Sequence, residues 1–166
     1  MTTARNGMVT RIGKRVIHFL NYNAKKALNV YMSMLGLLAL ANVAYISFLA
    51  NATQVTLREF LDKNPINTVM LIVSTMDVIV AYILWMEKDK LLADQRKFQG
   101  IIVYLSVLQL LVGNLLCFVL GMITLVTSKD LPLKGTKYIR NKDVFPLIMG
   151  AVIYLFCLFL LLKLAF

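Results

Sequence analysis

Four long apolar stretches, each set off by a short polar one, dominate the pattern of the chain. They cover residues of about 28–50, 65–86, 100–126 and 144–162. A helix needs about 20 mostly apolar residues to cross the hydrocarbon of a bilayer. Each stretch therefore predicts one spanning helix. Ahead of the first, residues 8–20 read MVTRIGKRVIHFL. On a helical wheel Met8, Val9, Ile12, Val16, Ile17, Phe19 and Leu20 fill one half, and Arg11, Lys14, Arg15 and His18 fill the other. This predicts a basic amphipathic helix lying in the membrane interface.

Local signals fix some of the boundaries. Asn64 followed by Pro65 suits a helix start, with Asn as the cap and Pro in the first turn. Trp85 near the end of the second stretch is an interfacial residue type. The following segment, EKDKLLADQRKFQ, predicts a helical extension into water. The fold expected is an all-α membrane protein. It has four transmembrane helices in an antiparallel up-down bundle, preceded by the interfacial helix. Residues 1–26 form the cytoplasmic tail with that helix, and residues 27–166 form the transmembrane domain. The polar N-terminal segment predicts no cleavable signal, so the first apolar stretch should act as an anchor.

Composition supports the membrane class. Hydrophobic residues make up 60% of the chain, against about 45–50% in soluble domains. The net charge is +10, and the cations lie between the apolar stretches. Their place beside membrane spans points to anionic lipid as the partner and not to nucleic acid. Arg11, Lys14, Arg15, Lys25 and Lys26 are the candidate contacts to lipid headgroups or to an acidic protein surface. A four-span chain would place eleven cations on the side of its termini: six before the first span, four in the second loop, and Lys163. The other side would hold seven, two in the first loop and five in the third. This favours cytoplasmic termini, against the pull of the third loop. Frequent Lys and Asn suggest a bacterial cytoplasmic membrane.

Polar residues inside the spans carry the candidate chemistry. Asp77 sits near the middle of the second span, on one stripe with Asn67, Met70, Ser74 and Ala81. A charge at mid-bilayer costs about 2.5–3.5 kcal/mol on insertion scales, so Asp77 should face the interior. No Lys, Arg or His lies at similar depth in another span. Asp77 is therefore expected to be a neutral acid that donates a hydrogen bond. Asn42, Gln109 and Asn114 are the expected partners, with Ser74 on the same face. Ser106, Gln109, Gly113, Cys117, Gly121 and Thr124 recur at spacings of three and four, which predicts one continuous packing ridge along the third span, set against the Asp77 face of the second. Cys117 and Cys157 lie in apolar stretches and read as small hydrophobes.

No catalytic set is visible: the only histidine is His18, and HExxH, GxSxG and phosphate-loop motifs are missing. No catalytic residue, metal ligand or cofactor is expected. The first expectation is a non-enzymatic accessory or regulatory protein that binds or sequesters a membrane or cytoplasmic protein partner. The alternative is a small homo-oligomeric transporter or channel subunit, with Asp77 as its proton, ion or substrate site.

Overall fold

The structure is a computed structural model that describes residues 23–133 and 141–165, with the backbone only at residues 130, 141–147 and 165. The expected interfacial helix over residues 8–20, with Arg11, Lys14 and Arg15, lies outside the described residues. The described chain is all-helical: α1 (Ala24–Ala52), α2 (Leu57–Lys63), α3 (Pro65–Leu92), α4 (Gln95–Leu111), α5 (Leu115–Thr127) and α6 (Asn141–Ala165). A single 3-10 turn, Ser128–Asp130, follows α5.

Most helix starts have a local cause. The Asn23 side chain accepts from Lys25 N at 2.8 Å, and Asp94 accepts from Arg96 N at 3.0 Å. Thr56 caps α2 through Glu59 N. Pro65 opens α3 as expected, but the Asn64 side chain turns back and donates to Phe60 O at 2.8 Å. It closes α2 and leaves α3 without a side-chain cap. The mixed-charge segment after Trp85 does continue the helix, to Leu92.

The third apolar stretch departs from the expectation. It is a helical hairpin and not one helix over 100–126. Gly113 has φ +82°, a left-handed conformation that glycine adopts at no steric cost. Asn114 N donates to Gln109 O at 2.8 Å and Gly113 N to Leu110 O at 3.1 Å, the paired bonds of a Schellman helix end. The next residue starts a new helix: Asn114 Oδ1 accepts from Cys117 N at 3.3 Å. The two arms then run antiparallel. Gln95 N donates to Pro132 O, and Gln99 Nε2 donates to Ser128 Oγ at 2.9 Å. At Gly121 a side chain would run into Ser106 Oγ. All three pairs are symmetric about the junction of Gly113 and Asn114. The expected ridge is therefore not one continuous face. It is folded in half, and its small residues let its own two arms touch.

The other helices pack around this hairpin. α1 and α3 lie side by side, tied by Asn42 to Met70 and Ser74. α5 leans on α1, where Thr124 Oγ1 reaches Ala27 O at 3.5 Å. α6 runs parallel to α4, since Tyr104 meets Ala151 and Gln109 meets Tyr154. The core contains Leu28, Tyr31, Leu35, Phe98, Ile102, Cys117, Tyr154 and Cys157, all essentially without exposure. At 1.5 Å per residue, α1 and α3 are about 43 and 42 Å long, and α6 about 37 Å. The arm α4 is about 25 Å and α5 about 20 Å. α1 and α3 are long and apolar enough to cross a membrane, and α6 is apolar from Ile148 to Leu164. Many of their outward side chains are apolar, among them Leu37, Leu40, Phe48, Ile72, Tyr82, Trp85, Val152 and Phe159.

Candidate polar centre at the hairpin tip

Asp77 lies twelve residues into α3, about 18 Å from its start, and Tyr154 lies thirteen residues into α6, about 20 Å along. Gln109 is in the last turn of α4, one turn below the hairpin tip. These three side chains meet. Gln109 Nε2 donates to Asp77 Oδ1 at 2.5 Å, and Tyr154 Oη donates to the same oxygen at 2.6 Å. Gln109 Nε2 also reaches Tyr154 Oη at 3.3 Å. Asp77 is 3% exposed, and Gln109 and Tyr154 are each 1% exposed. The Asn114 amide faces the same carboxyl group.

On α3, Ser74 and Asp77 are buried, Asn67, Met70 and Ala81 are half-buried, and Ile72 and Ile79 are exposed. Asp77 Oδ1 accepts both of these hydrogen bonds. The expected four-residue cluster around it divides in two. Asn42 does not reach Asp77; it donates to Ser74 Oγ at 2.6 Å and to Met70 O at 3.1 Å, forming a separate clamp one turn away on α3. Gln109 and Asn114 do come to Asp77. Of the ridge residues, Ser106 and Thr124 are each 1% exposed and turned back on their own helices, through Ile102 O at 2.7 Å and Leu120 O at 2.8 Å. Cys117 is fully buried beside Asn114, and both cysteines are free thiols. Lys25 and Lys26 occupy the first turn of α1, at the far end from Asn42.

Two tyrosines of the centre were missed by the sequence reading. Tyr154 supplies one of the two donors to Asp77. Tyr31, on α1, is fully buried within electrostatic reach of Asp77 and Cys117. Its hydroxyl and Gln109 Oε1 are buried and make no hydrogen bond. A tyrosine in an apolar stretch is easily taken for an aromatic core residue, and only its depth relative to Asp77 could have singled it out.

Chemically, the centre combines a carboxyl group, two amides, two phenols and a thiol at the point where two helices end in the interior. No histidine occurs among the described residues. Its groups can bind and release a small polar or charged species. No protein-family model, curated protein or solved structure matches the chain.

Proposed function

We propose that this chain is an integral membrane protein with three crossing helices, α1, α3 and α6, and a re-entrant hairpin, α4–α5. In this reading the Asp77 centre binds a small polar or charged solute and passes it across the membrane, as a transporter or channel subunit. The observation that carries it is the hairpin tip. A knot of hydrogen bonds needs only intact helices. Here the chain leaves the helical pattern in the interior, between α4 and α5, beside the buried carboxyl group of Asp77. Backbone that leaves the helical pattern in a membrane is tolerated where it is buried in protein or lines a polar cavity. Interrupted helices meeting near the midplane are a recurrent way to build a transport site.

Charge placement supports the same topology. Lys25, Lys26, Lys88, Lys90, Arg96, Lys97 and Lys129 lie at the end of the bundle where α1 starts and the hairpin opens. Arg58, Lys63 and Lys163 lie at the other end. Lys129, the first cation of the third loop, thus joins the cation-rich side. With three crossings the N-terminal side of α1 is cytoplasmic, and α6 ends on the opposite face. This differs from the both-termini-inside arrangement that four spans would give.

The basic end keeps the accessory reading alive as a second proposal: it presents a surface for anionic lipid or an acidic protein partner. It does not account for the buried centre, so the transport reading is preferred. Flux in proteoliposomes tests it, with wild-type protein and Asp77→Asn reconstituted in parallel. A proton-sensitive dye and a panel of monovalent ions serve as probes. Wild type should carry at least one of them, and Asp77→Asn should carry none at equal, folded incorporation. Equal flux through both proteins, or no flux of any probe in the wild type, would sink the proposal.

A further inference from the structure

The groups that meet the Asp77 carboxyl group, Gln109, Tyr154 and Asn114, are all neutral. Lys63 pairs with Glu59 and Lys90 with Glu87 at the surface, and neither pair involves Asp77. Neutral donors satisfy the lone pairs of a carboxylate but leave its charge uncompensated, and an uncompensated charge in a dry interior is strongly unfavourable. A second need arises in the same cluster. Gln109 Oε1 is an acceptor only, and it is buried with no donor on it. The amide cannot solve this by turning over, because its nitrogen already bonds Asp77 and Tyr154. The Tyr31 hydroxyl, with its own acceptor lone pairs, is likewise buried and unbonded.

The helix ends add to the pattern. α4 terminates here, and its C-terminal pole is partially negative. The partially positive start of α5 is partly neutralised by the Asn114 side chain, which accepts from Cys117 N. The cluster thus offers carboxylate, amide and phenol oxygens without a basic side chain. The species that answers this set is a cation that prefers oxygen. One carboxylate balances one positive charge, so a divalent ion would leave an excess charge in the interior.

We infer that the Asp77 centre binds one monovalent cation, held by the Asp77 carboxylate, Gln109 Oε1 and the Tyr31 hydroxyl oxygen. This names the ligand class of the centre proposed above, and rests on the reading of that centre as a binding site.

The test uses the full chain, purified in mild detergent, and reads thermal unfolding at constant ionic strength. Sodium, potassium or ammonium chloride is exchanged stepwise for N-methylglucamine chloride. At least one of the three cations should raise Tm along a saturable one-site curve. Gln109→Leu and Tyr31→Phe should each move its midpoint at least tenfold to higher concentration, and Asp77→Asn should abolish the response. Tm values that are the same in every salt for the wild type would overturn the inference, with no variant needed. So would a wild-type midpoint retained in Asp77→Asn. Equilibrium binding of radioactive sodium to the wild type, with potassium and ammonium as competitors, repeats the test should a variant fail to fold. The inference and the transport reading fail separately. Flux that depends on Asp77, without saturable cation binding, removes the cation site and keeps transport. Saturable binding without flux keeps the site and removes transport.

Discussion

At the scale of single residues, the centre joins two kinds of side chain: Asp77, Gln109 and Asn114 on one hand, and the tyrosines Tyr31 and Tyr154 on the other. Asp, Gln and Asn stand out in an apolar stretch because they have no apolar body, whereas tyrosine buries a ring and hides its hydroxyl within a core pattern. Tyr154 shows what such a residue contributes. Its O–H donates to Asp77 at 2.6 Å in full burial. Tyr154→Phe keeps the ring packed among the α3, α4 and α6 side chains and removes only that donor. A buried acceptor that loses one partner costs about 1–3 kcal/mol, more where it is charged. Chemical or thermal unfolding in detergent should therefore show Tyr154→Phe less stable than wild type by about that amount. A control, Tyr82→Phe, changes an exposed tyrosine stacked on Trp85 with ring centroids 6.2 Å apart and should leave stability nearly unchanged. Equal stability of Tyr154→Phe and wild type would mean that the Asp77 bond is not formed.

At the scale of elements, α1 and α3 were legible almost to their ends, because apolar length and flanking charge fix a long helix regardless of its neighbours. The hairpin was not. Its signal, Val112-Gly113-Asn114, is one glycine and one capping residue inside an otherwise apolar run. Spacings of three and four fit a straight ridge and a folded one equally well, because Ser106 and Gly121 fall on the inner faces of both arms. Only tertiary contact separates the two, and the contact here is close. A Cβ at position 121 would overlap Ser106 Oγ and lie 3.2 Å from Ser106 Cβ. Gly121→Ala should cost about 1–3 kcal/mol as an overpacked contact. Ser106→Ala removes the overlapping oxygen together with a bond to its own helix at Ile102 O. The double variant Gly121→Ala, Ser106→Ala should then recover more than half of the loss in the same unfolding assay. In a straight helix these positions would be about 22 Å apart, and the two changes would simply add. Additive effects would therefore argue against the hairpin.

At the scale of the whole molecule, the folded third stretch bears on the topology: in the proposed reading it turns an even number of crossings into an odd one. Four straight spans would put the segment after residue 126 on the side opposite to the loop after Trp85. The hairpin returns the chain to the side it came from, so Lys97 and Lys129 share one face, and Arg58 lies on the other. This is a geometric consequence of the Gln99–Ser128 and Gln95–Pro132 contacts. Cations are retained on the cytoplasmic side of short loops, and a third loop facing outward would have broken that bias. Single cysteines at residues 58, 97 and 129, in a background with Cys117 and Cys157 replaced by alanine, read the topology directly. In intact cells, a membrane-impermeant maleimide should label the variant at 58, while those at 97 and 129 should label only after the membrane is opened. Labelling of residue 129 from the same side as residue 58 would straighten the third stretch into a fourth crossing. It would also remove the interrupted helices on which the transport reading depends.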